Sequence, residues 1–284
     1  PVGTRPTNTA TRFIDATGKT LIPGMWEGHV HSLYFGQEAL GVQLPETLAW
    51  GFTSAYSMGN YLYQDIQLRE ALEAGKLTGP RLFASTLLLD GVRVNYPSSR
   101  AVRNEQVAEL ELAKAKAMGV DGLKSYVRSP IPIMSLVART AQEMGIPSYS
   151  HFMSPGVSTG QYGSSHLSAT ERMGYGWSST SAYQDVIALR TQGEFNMVAT
   201  SGSAENAPLV AAKSIVSIGS DLPLVRPGRT ANGYLTANAA KVGNYEAMRM
   251  ATINGAINAF AERDLGTIEV GKIANLTVTR GDLF

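Results

Sequence analysis

Short β-branched and aromatic runs alternate with longer helical patterns along most of this chain, the order that βα units around a parallel sheet produce. The strand-like runs start with Leu21–Ile22 leading into His29-Val30-His31, then Phe52–Met58, Arg81–Leu89, Gly122–Val127 and Pro147–Phe152. Shorter ones follow at Ser164–Leu167, Glu194–Thr200 and Ser214–Ser220. Between them, apolar residues at helical spacing predict helices over Ile66–Ala74, Asn104–Met118 and Ile133–Met144, and a last one over Asn244–Phe260. Eight strand signals with interleaved helices predict an α/β fold, a (β/α)8 TIM-type barrel spanning residues 23–262. Thr11–Leu21 and Leu265–Thr279 instead alternate apolar and polar residues around Gly-centred turns. They predict a small β-rich domain built from the two chain ends, residues 1–22 and 263–284, with the first residues supplying only part of its strands. Met153–Ser181 is heavy in Gly and Ser and reads as loop.

Composition narrows the partners. Hydrophobic residues make up 44% and charged residues 17% of 284 positions, enough for one large core and too apolar for a disordered chain. The 24 Lys and Arg against 23 Asp and Glu give a formal charge of +1, no electrostatic grip on nucleic acid or an anionic membrane. No apolar run reaches the roughly 18 residues that a membrane span needs. The absence of cysteine removes disulfides, thiolate zinc sites, iron–sulfur clusters and cysteine nucleophiles, and leaves cytoplasmic, periplasmic and secreted settings open. A start at Pro1, with neither Met nor a signal-peptide pattern, reads as a processed or partial chain. Gly156, Gly160 and Gly163 lack the strand-to-helix context of a coenzyme fingerprint. What remains as a partner is a small-molecule substrate, and a homo-oligomer is compatible with all of this.

Four histidines carry the chemistry. His29 and His31 alternate on the first strand, so both imidazoles point to one face. His151 ends the fifth strand signal, His166 the sixth, Lys124 the fourth, and Asp221 follows the eighth. Each alone is ordinary: a loop histidine, a solvent-facing amine, a turn aspartate ahead of Pro223. Their joint order is not, because strand C-termini of a barrel converge on one mouth. Neutral imidazoles with a carboxylate suit Zn²⁺ first, with Mn²⁺, Co²⁺ or Fe²⁺ as alternatives.

At these residues the chain resembles the amidohydrolase superfamily over nearly its whole length. The opening signature is similar in Phe13-Ile14-Asp15-Ala16-Thr17-Gly18-Lys19, Leu21-Ile22-Pro23-Gly24-Met25 and Gly28-His29-Val30-His31-Ser32. The closing one is similar in Ala251-Thr252-Ile253-Asn254-Gly255-Ala256 and in the stretch from Gly266 to Leu276. The resemblance implies two divalent ions, with His29, His31 and Asp221 holding the more buried one and His151 and His166 the other. It also implies a bridge between them, a CO₂-derived carbamate on Lys124. Only 15 positions separate His151 from His166, which leaves little room for the usual fifth helix.

The implied reaction is hydrolysis by a water activated between the two ions, with Asp221 moving its proton to the leaving group. Deaminase relatives carry an acid beside the fifth-strand histidine, whereas here the neighbours are Ser150, Phe152 and Met153. Deacetylase relatives place a Glu on the third strand, and Arg81–Leu89 has none. Both departures favour the lysine-bridged type, and Lys124-Ser125-Tyr126 resembles the prolidase-like and imidazolonepropionase-like branch. Tyr126 is a candidate donor to a developing oxyanion. Arg128 is a candidate partner for a substrate carboxylate, or simply a solvated rim residue. Arg172, Tyr175 and Trp177 are weaker candidates for a lid. The expected substrate is an amide in a small peptide-like or N-acyl amino acid molecule. A lactone or phosphotriester is the alternative for the same ions, and a non-catalytic scaffold the alternative of another class.

Overall fold

In a computed structural model of the chain, residues 14–31, 40–151, 153–166, 184–223, 227–281 and 283 are described. Every one of the eight strand signals becomes a strand there: β1 Met25–His31, β2 Phe52–Ser57, β3 Arg81–Ala84, β4 Leu123–Lys124, β5 Ser148–Ser150, β6 Gly163–Ser164, β7 Asn196–Ala199 and β8 Val216–Ile218. β1 to β3 form one parallel run and β4 to β8 another. Two seams join them into the barrel. Between β3 and β4, Ser85 bridges Gly122 in parallel and the Asp121 amide donates to Ala84 O at 2.7 Å. Between β8 and β1, the Asp221 amide donates to His29 O at 2.8 Å, and Leu222–Pro223 then pairs with Val30–His31.

Helices α1 Leu40–Ala49, α2 Leu62–Glu73, α3 Glu105–Ala117 and α4 Ile131–Met144 cover the first half of the barrel. α3 shows the local rules at work: Asn104 Oδ1 caps it by accepting from the Val107 amide, and Lys114 and Lys116 sit at its carbonyl end. α4 stops at Gly145, whose left-handed φ of 68° a residue with a Cβ adopts at a cost. Between β5 and β6 only the short turns Met153–Gly156 and Val157–Thr159 fit, in place of a full helix. The second half adds α5 Gln184–Gln192, α6 Asn206–Ala211 and α7 Pro227–Val242, none of which the apolar spacing predicts. α7 is rich in Thr, Asn and Gly, so its helical signal is weak.

Three predicted elements are interrupted, each for a visible reason. Arg81–Leu89 divides into β3 and a short strand, Leu88–Asp90, because Ser85 and Thr86 spend their hydroxyls on the Gly59 and Lys124 amides. Gly122–Val127 shortens because the Ser125 amide is the last to donate to β5, at Tyr149 O, and the Tyr126 amide donates to Leu89 O instead. The Asn244–Phe260 helix breaks at Thr252, giving α8 Asn244–Ala251 and α9 Ile253–Asn258. That break tucks α9 beneath the barrel, where Asn258 Nδ2 donates to Met197 O and Ser217 Oγ and Asn254 Nδ2 to Val216 O. Asn258→Ala is expected to cost about 1–3 kcal/mol, since it strands buried acceptors on β7 and β8. A fall in the urea midpoint at constant m-value would register it.

Outside the barrel, Lys19–Pro23 pairs antiparallel with Leu276–Arg280, one strand from each chain end. Residues 265–275 form no strand, although alternation there predicts one. Thr11–Phe13, and Arg172, Tyr175 and Trp177 of the Gly/Ser-rich stretch, lie outside the described residues.

Candidate metal centre

The β1–β8 seam builds the centre. At Gly28 an added Cβ would stand 2.8 Å from Ile218 O, and at Gly219 one would stand 2.6 Å from the His29 Cβ. Two residues without side chains thus let the strands close tightly enough for His29 and Asp221 to face each other. Asp221 adopts a left-handed φ of 54°, a conformation that Asp tolerates better than most residues, and this turns its carboxylate inward.

Asp221 Oδ1 lies 3.1 Å from Nε2 of both His29 and His31, and Oδ2 lies 3.7 Å from His166 Nε2. Among the described residues, His29, His166 and Asp221 each offer a ligand atom within 4.8 Å of the others. Both ring nitrogens of buried His29 lack a well-directed hydrogen bond despite the short approach to Asp221. The His151 ring centroid is 4.6 Å from that of His166, and the Tyr126 ring centroid is 4.7 Å from His151. Lys124 is buried at the same mouth, its Nζ without a hydrogen-bond partner among the described residues.

Protonation follows from burial. Burial pushes His29 down to about 4 and His166 to about 3, and takes His151 well below its ordinary value, so all three imidazoles are neutral at pH 7. Burial alone would raise Asp221, but His29 and His31 against its oxygens hold it below the usual carboxylate range. Lys124 falls to about 7 by burial, which leaves much of its amine uncharged. Neutral imidazoles, an ionised carboxylate and an available amine are the states a divalent cation requires of its ligands. The donor set fits the group.

Two residues of this centre escape a reading of motifs. Glu27 is fully buried, and its Oε1 accepts from the amides of Ser220 (2.7 Å) and His29 (3.4 Å), tying the end of β8 to β1 beside His29 and Asp221. Burial raises its carboxyl to about 8. Its signal was an acid at period two from His29 in an otherwise uncharged strand. Thr200, just past β7, places Oγ1 2.8 Å from His166 Nδ1 and leaves Nε2 toward Asp221. Thr200→Val is expected to weaken metal binding about 10–100-fold, with Thr200→Ser close to the parent, as titration calorimetry would record.

Tyr126 is buried, and burial pushes its hydroxyl well above the ordinary tyrosine value. Arg128 is exposed at the rim, donating from Nη1 to Asn95 Oδ1 at 2.6 Å and to Arg93 O at 3.1 Å. A cavity of about 590 Å³ beside Thr53, Glu73, Arg81 and Asn275 lies at the opposite, N-terminal end of the strands and touches none of these groups.

The amidohydrolase family model matches residues 20–283. No curated protein matches the chain by sequence. A prolidase complexed with N-methylphosphonate-L-proline superposes with a TM-score of 0.75 at 20% identity, over 98% of this chain and 84% of its own. A Xaa-Pro dipeptidase with methionine bound in the active site gives 0.77 at 19% identity, over 99% and 86%. An adenosine deaminase from Xanthomonas campestris with bound Zn gives 0.67 at 14% identity, over 93% and 72%. At such identities the likeness carries the barrel fold. The chain belongs to the amidohydrolase family and is a hydrolase.

Proposed function

We propose that this amidohydrolase is a binuclear enzyme that cleaves the amide bond of a small peptide-like or N-acyl amino acid substrate. The observation that carries the reading is the convergence of His29, His31, His166 and Asp221, with His151 and Lys124 at the same barrel mouth. His29, His31 and Asp221 would hold one ion, His151 and His166 the other, and a carboxylated Lys124 would bridge them. Zn²⁺ suits this donor set first, with Mn²⁺, Co²⁺ or Fe²⁺ as alternatives. When bound, such a pair supplies Lewis acidity and brings the pKa of water towards ~7.

The chain's own groups do the rest. Asp221 Oδ2, less engaged than Oδ1, accepts a proton from the attacking water and returns it to the leaving nitrogen. Tyr126 keeps its proton at any working pH and donates it as a hydrogen bond to the carbonyl oxygen while charge develops there. Arg128 holds the substrate's carboxylate in a charge-assisted pair. Amino-acid recognition agrees with the methionine in the active site of the similar dipeptidase. Residues 1–22 and 263–284 we assign to a small β unit, supported by the pairing of Lys19–Pro23 with Leu276–Arg280.

The test is elemental analysis of the purified protein, paired with a panel of amides, esters and phosphotriesters. Two equivalents of metal and selective amide turnover are expected. Selective phosphotriester or lactone turnover, or none at full metal loading, would overturn the reading.

A further inference from the structure

Beside the ligands, on the third βα connection, lies a built surface that metal binding does not use. Asp90 is fully buried at the end of Leu88–Asp90, and its carboxylate accepts from the amides of Gly91, Asn95 and Arg128 at 2.9, 3.2 and 2.9 Å. One side chain therefore fastens residues 91–98 to the stretch that follows β4. The fastening is backbone against backbone: a Cβ on Gly91 would stand 2.2 Å from Arg128 O. On this fixed loop, Tyr96 is 45% exposed, with its ring centroid 5.9 Å from that of Tyr126. Tyr126 in turn packs against His151. Tyr96, Tyr126 and His151 thus form a row of rings running from the rim to a ligand.

Residues 91–98 together with Arg128 carry only positive charge. Both acceptors of the Arg128 guanidinium, Asn95 Oδ1 and Arg93 O, are neutral, and among the described residues no carboxylate pairs with it. Arg93 is itself exposed on this loop, and so are Val92 and Val94. An aromatic face, aliphatic neighbours and a guanidinium held in place offer complementary contacts to one kind of fragment. It carries an apolar side chain and a carboxylate, and it sits one residue from the reacting carbonyl.

We propose that Tyr96 is the specificity-determining residue of this enzyme, selecting substrates whose leaving amino acid bears an aromatic or large apolar side chain. The inference rests on the amide-hydrolase reading and adds the substrate class to it. The leaving residue's side chain packs on the Tyr96 ring and removes its face from water. The carboxylate pairs with Arg128, whose orientation Asn95 fixes before binding. Two arginines on the rim repel a leaving lysine or arginine, so selection works by rejection as well as by attraction.

The experiment compares the metal-loaded parent with Tyr96→Ala and Tyr96→Phe, measuring kcat/KM on N-acetyl-Phe, N-acetyl-Leu, N-acetyl-Ala and N-acetyl-Lys. Calorimetric binding of free L-Phe and L-Ala, the leaving products, accompanies it. The parent is expected to prefer Phe and Leu over Ala by about 10-fold or more, and to disfavour Lys. Tyr96→Ala should lose most of that ratio, chiefly through KM, whereas Tyr96→Phe should keep it. Product binding should follow the same order. A ratio that Tyr96→Ala leaves intact, or a parent that prefers Ala or Lys, would overturn the assignment. If no amide turns over, the hydrolase reading falls. The subsite then stands or falls on whether L-Phe binds more tightly than L-Ala and loses that advantage in Tyr96→Ala.

Discussion

Asp221→Asn is expected to lower kcat by about 10²–10⁴-fold while the protein keeps most of its metal. The two effects separate because the proposed reading gives the residue two jobs. Oδ1 stands 3.1 Å from Nε2 of His29 and of His31, the position of a shared ligand. An amide oxygen can fill that position more weakly, and the backbone that aims it does not depend on the side chain: the left-handed φ and the bond from its amide to His29 O both survive. Proton transfer does not survive, because an amide neither accepts nor returns a proton at neutral pH. The side chain is 37% exposed, more open than His29 or His31, so water and substrate can reach it. The measurement is kcat and KM alongside metal content by mass spectrometry. Turnover near the parent's, with metal retained, would move the acid–base role to another group. Loss of metal along with turnover would reduce Asp221 to a ligand.

The fold was legible wherever one residue pattern dominated a segment. α3 announces itself through Ala, Glu, Lys and Leu and an Asn cap, and it ends within a residue of the expected place. The strands were legible in order but not in length, because side chains on them compete for backbone partners. Ser85 and Thr86 end β3 early, and the Tyr126 amide turns from β5 to Leu89 O. No hydropathy pattern encodes such a choice. α7 was illegible because its face against the barrel is made by a few residues, such as Ala231 and Asn238, among Thr and Gly. Tertiary packing rather than propensity holds it.

The candidate site divides in the same way. His29, His31, His151, His166, Lys124 and Asp221 could be grouped because barrel topology brings strand ends together whatever lies between them. Glu27 and Thr200 could not, since their roles depend on which backbone amide or ring nitrogen ends up beside them. Arg128 is an intermediate case. Its type and spacing suggested a carboxylate partner, but only the structure reveals that Asn95 and Arg93 hold its guanidinium and that Asp90 holds its backbone. The loop that provides these contacts, 91–98, carries no motif.

Lys124→Ala is expected to abolish most activity, on the order of 10²–10⁴-fold, and to recover part of it when short-chain carboxylic acids are added. The side chain is buried with its Nζ unpartnered among the described residues, an arrangement that is costly for an ammonium and worse for one facing divalent cations. Burial answers by lowering the amine to about 7, so at neutral pH a sizeable fraction carries a free lone pair. That nitrogen can add to CO₂, forming an N–C bond and releasing one proton, so the neutral amine becomes a carbamate of charge −1; starting from the ammonium, two protons leave. The carbamate is labile in water, so its persistence should depend on metal, and metal retention on it. Acetate or propionate can enter the space that Ala leaves and present the same two oxygens, which is why rescue is expected. Lys124→Arg should not be rescued, because the guanidinium keeps its charge and fills that space. Labelled bicarbonate provides an independent reading: a carbamate carbon signal in the parent, absent from both variants and lost on chelation. A parent with full metal and activity but no such signal would remove the bridge from Lys124, and leave the two ions, or a single one, to His29, His31, His151, His166 and Asp221.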